Sequence, residues 1–398
     1  MSRVVNPRKL FDGSHFRAQP GEHILRFVTW IRTQPALEEL ARSLESCRAI
    51  GLDTESDSLY HHRDKVCLLQ IATDRGFAFL VDSLAVDLAP LGAAMADPRL
   101  VKVLHGADYD VTTLKRDCGF SFASLFDTMI AARLLGKSEL GLVAVARDEL
   151  GVTLTKTNQK DDWSRRPLTP QQEAYALADV THLVELRERL AARLAAVSRL
   201  EWLHEECDAV AALEPLTRRH DHDAYLGIKG ARRLAPRSLA ALRELYKWRE
   251  GRAEQTDTPP FRILGNESLL KLAELLPADE TNLRGVPGIL PRLSRQADAI
   301  LGGIRRAREL PEAELPTLPR VVRPVVSDLA QRRIERLKAW RTRKGQELGL
   351  DASVVLPQRL IDRLADAGPA DTQGLGRIDG LRRWRVLSFG TELLAAVS

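Results

Sequence analysis

The chain has 398 residues, 44% hydrophobic and 28% charged, a balance that buries real cores over two or three domains and excludes wholesale disorder and collagen-like repeats. The formal net charge of +5 sits in the last fifth: residues 1–198 carry 25 basic and 26 acidic side chains, residues 199–319 carry 19 of each, and residues 320–398 carry 15 and 9. No uncharged apolar run approaches the ~18–20 residues that span a bilayer, and no apolar core follows the basic N-terminus, so no membrane partner and no signal peptide are expected.

Residues 1–20 lack periodicity and read as a flexible tail. From about 21 to 200 the pattern is α/β. Arg48–Asp53 reads as a buried strand ending in polar residues. Val66–Ala72 and Phe77–Asp82, separated by the turn Thr73-Asp-Arg-Gly76, read as consecutive antiparallel strands, and Leu100–His105 as a fourth. Helical periodicity marks 107–117, 127–135, 141–150 and one long helix near 170–196. A meander followed by alternation with helices predicts a mixed sheet covered by helices. The four cysteines, Cys47, Cys67, Cys118 and Cys207, are scattered without metal-ligand spacing, as expected of reduced thiols in the cytoplasm.

After residue 200 strand signals vanish. A connecting helical segment, 201–234, leads to an internal repeat. At an offset of 92, Trp248-Arg249 matches Trp340-Arg341, Leu264 matches Leu356, Leu272-Ala273 matches Leu364-Ala365, and Pro277-Ala-Asp279 matches Pro369-Ala-Asp371. Two copies of one small helical domain are expected, at about 235–310 and 328–398. A proline-rich linker, 311–327, separates them.

Three short segments carry chemistry. In Ile50-Gly-Leu-Asp53-Thr-Glu55, two carboxylates two apart on a strand share one side, a repulsive pair that hard cations such as Mg²⁺ or Mn²⁺ relieve. A strand-end turn with two solvated acids has the same pattern. In His105-Gly-Ala-Asp-Tyr-Asp110, Asp110 either serves such a centre or favours the start of a helix. In Tyr175-Ala-Leu-Ala-Asp179, a phenol and a carboxylate lie one helical turn apart. Asp127 reads as a helix N-cap.

Taken together, the order and spacing of these segments resemble the DEDD superfamily of 3′→5′ exonucleases, in the branch whose third motif carries tyrosine (DEDDy). Lys160-Asp-Asp-Trp163-Ser-Arg-Arg166-Pro-Leu168 and Phe126-Asp-Thr-Met-Ile-Ala-Ala-Arg-Leu-Leu-Gly136 resemble segments of ribonuclease D, and the repeats resemble its HRDC (helicase and RNase D C-terminal) domains. The resemblance covers about residues 21–398. It implies an α/β fold: a ribonuclease H-like mixed-sheet exonuclease domain followed by two small all-α HRDC-like domains. It also implies a metal-dependent exoribonuclease that trims the 3′ ends of tRNA precursors and other structured RNAs; the oligomeric state is left open, a monomer being favoured. Two divalent cations would be bridged by Asp53. Glu55 and Asp179 would hold the ion on the water side, Asp110 the second, and Tyr175 would orient the water.

Around that centre, Trp163 is a candidate base-stacking side chain or a core residue, and Arg166 a phosphate contact or a pin for its loop. The run Arg332, Arg333, Arg336, Lys338, Arg341, Arg343, Lys344 is a candidate nucleic-acid surface. Two rival readings share these residues: a DNA 3′→5′ exonuclease, and a catalytically inactive RNA-binding protein.

Overall fold

In the computed structural model, the described residues are 27–155, 157–215, 223–286, 296–318 and 327–398. The expected tail at 1–20, and Pro319 and Pro324 of the linker, lie outside them. The strands are β1 (Phe27–Ile31), β2 (Ala49–Ser56), β3 (Val66–Thr73), β4 (Phe77–Val81), β5 (Val101–Leu104) and β6 (Leu125–Asp127). The helices up to residue 211 are α1 (Gln34–Leu44), α2 (Gly92–Ala96), α3 (Asp108–Cys118), α4 (Thr128–Leu134), α5 (Leu142–Leu150), α6 (Pro170–Thr181), α7 (Leu183–Ala196) and α8 (Leu200–Ala211). Then come α9 (Pro236–Gln255), α10 (Pro260–Ile263), α11 (Asn266–Leu275), α12 (Glu280–Arg284) and α13 (Ala297–Glu309). The last five are α14 (Asp328–Leu348), α15 (Ala352–Val355), α16 (Gln358–Ala367), α17 (Thr372–Gly376) and α18 (Arg383–Val397).

The sheet order is β1-β4-β3-β2-β5-β6. The meander β2-β3-β4 is antiparallel, while β1 on β4, β5 on β2 and β6 on β5 are parallel. β3 is buried at every position, as its unbroken apolar run requires of a strand covered on both faces. The sequence pattern did not disclose β1 and β6. One is a five-residue strand partly exposed along most of its length, the other three residues long. The long helix expected near 170–196 is two helices, broken at His182. The break lets Val180 and Leu183 approach the sheet at Gly51. There a Cβ would stand 2.8 Å from the Val180 carbonyl oxygen and 3.0 Å from Leu183 Cβ, so only glycine fits.

The chain packs as two units. Among the described residues, one holds 27–56, those from 66 to 215, and 327–398; the other holds 57–65 and those from 223 to 318. In the first, α14–α18 share a single hydrophobic core with the sheet and its helices. Trp202 of α8 stacks on Trp384 of α18, with centroids 4.2 Å apart and planes at 17°. Gly136, just past α4, lets the chain pass Gly349: a Cβ on Gly136 would stand 2.1 Å from the Gly349 oxygen. The Arg199 guanidinium donates to the Leu134 and Leu348 carbonyl oxygens, both at 2.8 Å, and so closes the C-terminal ends of α4 and α14 together.

The second unit has its own core, centred on Leu239, Leu242, Leu245, Leu272, Ile300 and Ile304. It also takes in the loop that leaves β2. His61 pairs with Asp257 at 2.6 Å, Arg63 pairs with Glu254 at 2.8 Å, and the Arg262 guanidinium lies over the Tyr60 ring.

The repeat recurs as geometry. Arg249 donates to the Leu264 oxygen at 3.1 Å, and Arg341 donates to the Leu356 oxygen at 3.2 Å. Asp279 caps α12 through the Asn282 amide, and Asp371 caps α17 through the Gly374 amide.

Candidate active site

Strand β2 ends where α6 crosses it, and that crossing gathers the acids. Asp53 and Glu55 point to the face that α6 covers, and α6 brings Tyr175 and Asp179 against them. One ligand atom each of Asp53, Glu55 and Asp179 lies within 4.8 Å of the others. These three acids, with Thr54, His105, Met129 and Tyr175, line a cavity of about 330 Å³. α6 is held in place at its start by a capping box, Thr169 with Gln172.

Burial and mutual repulsion dominate the electrostatics. Asp53 is pushed well above the usual carboxylate range by burial, then by the charges of Asp110, Asp179 and Glu55. Burial, with Asp179, Asp110 and Asp161 nearby, pushes Glu55 up to about 9. Burial and the Asp179 charge raise the Tyr175 phenol, which hydrogen-bonds to Asp179. Three converging carboxylates, with the charged forms of Asp53 and Glu55 disfavoured, make a hard-oxygen donor set that fits a divalent cation.

Asp110 is close, but it is not one of the three. It is buried in the first turn of α3, where its charge favours the helix N-terminus, and its carboxylate accepts a hydrogen bond from the Thr54 hydroxyl. Burial raises it to about 6 against that bond. The loop that launches α3 is set by Asp127, whose carboxylate accepts from the Gly106 and Ala107 amides as well as capping α4 through Met129 and Ile130.

The family model described as 3′-5′ exonuclease matches residues 28–195, and the HRDC domain model matches twice, at 238–304 and 330–397. Ribonuclease D of Pseudomonas paraeruginosa is 34% identical over 376 residues, 93% of this chain and 97% of that protein. This chain belongs to the ribonuclease D family. Ribonuclease D of Acidiphilium cryptum is 33% identical over 92% of this chain and 91% of its own. The crystal structure of Escherichia coli RNase D shares the fold, with a TM-score of 0.69 at 24% identity, covering 93% of this chain and 98% of that one. The chain is therefore a 3′→5′ exoribonuclease, a phosphodiester hydrolase with an exonuclease domain and two helical HRDC domains. Among the described residues no helix is long and apolar enough to cross a membrane.

Around this site the peripheral candidates separate. Trp163 is 1% exposed, and its ring lies 6.0 Å from that of Tyr175. An indole so enclosed offers no face to a base; it backs the phenol instead. Arg166 grips Asp82 through Nε and Nη2, both at 2.8 Å, and donates to the carbonyls of Trp163, Arg165 and Cys67. With its donors so engaged it pins the loop and holds no phosphate.

The basic run on α14 divides in the same way. Arg333 donates to the Val397 and Ala365 carbonyls, Arg341 to that of Leu356, and Lys344 pairs with Glu347 and Glu392. These three hold the helix to its neighbours. Arg332, Arg336, Lys338 and Arg343 face solvent.

Sequence patterns passed over Thr54 and Gln70. Gln70 is fully buried, its amide has no partner among the described residues, and it pairs across the sheet with Asp53. A glutamine inside the apolar run Val66–Ala72 was the available signal.

Proposed function

We propose that the chain trims the 3′ ends of structured RNAs in the cytoplasm, tRNA precursors foremost, by hydrolysis at a centre formed by Asp53, Glu55, Asp110, Asp179 and Tyr175. The observation that carries the reading is the convergence of Asp53, Glu55 and Asp179 within 4.8 Å. Two divalent cations, Mg²⁺ or Mn²⁺, are the proposed complement; bound there, they neutralise the carboxylates and lower the pKa of a coordinated water. Asp53 feels the charge of all three other acids, which suits it to bridge two ions. Glu55 and Asp179 would hold one ion and Asp110 the other. The Tyr175 hydroxyl donates to Asp179 in the resting protein and orients the attacking water in the loaded one. With the ions in place, that water would give up a proton to solvent and attack phosphorus in line, and the 3′ oxygen of the preceding nucleotide would leave and take up a proton from solvent as a 3′-hydroxyl.

In the same reading the domains run 21–200 (exonuclease), 235–310 and 328–398 (HRDC), and the exposed Arg332, Arg336, Lys338 and Arg343 contribute electrostatic affinity for RNA. The deciding experiment incubates the purified protein with 3′-extended tRNA and with a matched DNA strand, in Mg²⁺, Mn²⁺ or chelator, and maps the ends. Metal-dependent shortening of the RNA from its 3′ end is expected. Shortening of DNA alone, or none with any ion, would overturn the reading.

A further inference from the structure

A second cavity, of about 240 Å³, opens in the first unit where α4 and α8 meet α15–α18, and it is lined by Arg133, Arg359, Arg382 and Arg385 with Glu206 as its one acid. Glu206 is already committed. Its Oε1 accepts from Trp384 Nε1 at 3.0 Å and from Arg385 Nη1 at 2.7 Å. Arg385 also donates through Nε to the Val355 carbonyl and through Nη2 to the Val354 carbonyl. Arg382 only approaches Glu206, Nε to Oε2 at 3.5 Å, and its buried Nε makes no hydrogen bond. Arg133 and Arg359 are exposed and make no ion pair among the described residues.

The backbone adds to this excess of positive charge. The cavity receives the first turns of α16 and α18, neither of which has a side-chain cap or an acid in that turn. The start of α18 instead carries Arg382, Arg383 and Arg385. Guanidinium groups at the positive end of a helix are unfavourable unless an anion sits among them. α4 contributes to both cavities: Met129 lines the carboxylate site, and Arg133, a single helical turn further on, lines this one.

We infer that this cavity is a phosphate subsite that holds a backbone phosphate of the RNA a short way 5′ of the bond being cut. The inference rests on RNA hydrolysis at the carboxylate site and extends it. A strand whose 3′ end lies among Asp53, Glu55 and Asp179 runs along α4 and meets the arginines next. The planar fork of each guanidinium suits phosphate oxygens.

The test is the triple variant Arg133→Ala/Arg359→Ala/Arg382→Ala, with Arg42→Ala on the exposed end of α1 as a single-charge control and thermal melting as the check on folding. Binding of 3′-extended RNA is measured in chelator across a salt series, and kinetics are measured on that RNA and on a ribodinucleotide. The triple variant should bind the long RNA about 10-fold or more weakly, with a salt slope shallower by about 0.7, the loss of one phosphate contact. Its KM for the long RNA should rise in step, while dinucleotide turnover and the Arg42→Ala protein stay as wild type.

Unchanged slope and KM would overturn the subsite, as would an equal loss on the dinucleotide. If inorganic phosphate protects the wild type but not the variant against melting while RNA affinity is unmoved, the cavity takes a free anion and the RNA assignment fails. Wild-type protein that cuts neither substrate would refute the hydrolytic reading, and the binding arm in chelator would still decide the subsite.

Discussion

Glu55 and Glu206 of the first unit are withdrawn from solvent, one buried and one half-buried, and their surroundings compensate them in opposite ways. Glu55 faces Asp179 and Asp110 and is pushed up to about 9. Glu206 faces Arg385, Trp384 and Arg382, and the Arg385 guanidinium holds it below the usual range against its burial. At α8 and α18 the chain supplies the positive charge, and the result joins the second HRDC domain to the sheet's core. At the end of β2 the chain withholds it, and the result is a site that must take its positive charge from solution. A buried acid with a built-in partner is architecture, whereas a buried acid among acids is a binding site under strain.

The contrast can be tested by removing the charges. Asp53→Asn is expected to have the largest effect: at least about 10³-fold lower exonuclease rate, since it removes the carboxylate that feels the charge of all three other acids, with RNA binding in chelator unchanged. A substantially active Asp53→Asn protein in excess Mg²⁺ would refute the assigned centre. Glu206→Ala should cost about 3 kcal/mol of stability, because it strands the buried Arg385 guanidinium; urea titration measures it. That contribution is present above about pH 4.5, the ordinary glutamate value, and is lost as pH falls through the lowered value.

Glu55 carries the reverse sign. Its folded-state carboxyl keeps a proton that the unfolded chain has released, so its contribution to stability is lost as pH rises from about 4.5 to about 9. Glu55→Gln should therefore raise the melting temperature of chelator-treated protein at pH 7 by a few degrees and shrink the rise that Mg²⁺ produces. A fall in melting temperature would contradict the picture of stored repulsion.

The smallest effect is expected at Lys102, a fully buried amine that donates to the Asp97 and Leu100 carbonyls and is lowered to about 8. Its charge opposes folding most below pH 8 and progressively less towards 10.5. The stability of the wild type relative to Lys102→Met should rise over that interval, which urea titration at pH 8 and pH 10.5 measures.

Fusion of the second HRDC domain to the sheet's core changes how its role can be probed. Removing residues 328–398 would strip Trp384 from Trp202 and leave the exonuclease core open, a loss on the order of several kcal/mol. Point changes at Arg332, Arg336, Lys338 and Arg343 probe its charge without that damage.

Local pattern was enough for much of the molecule. The meander β2-β3-β4, the strand β5 and the helix carrying Asp110 follow from runs of a few residues whose periodicity and turn signals are self-contained. The family followed from three short acidic segments in order, and the repeat from identities at one offset. What local pattern does not encode is which side chain reaches which. The spacing of Trp163 and Arg166 fits a substrate contact or a pin equally well, and only the burial of the indole and the five bonds of the guanidinium decide between them. A run of seven basic residues on one helix looks uniform until its neighbours claim Arg333, Arg341 and Lys344. The sequence alone therefore determined the chemistry available, the order of the domains and the family. Tertiary structure decided that one HRDC copy shares the exonuclease core, that three acids converge while Asp110 turns to Thr54, and that arginines far apart in the chain share one cavity. Those outcomes depend on distances between segments remote in sequence, and desolvation and Coulomb energy respond to such distances rather than to residue order.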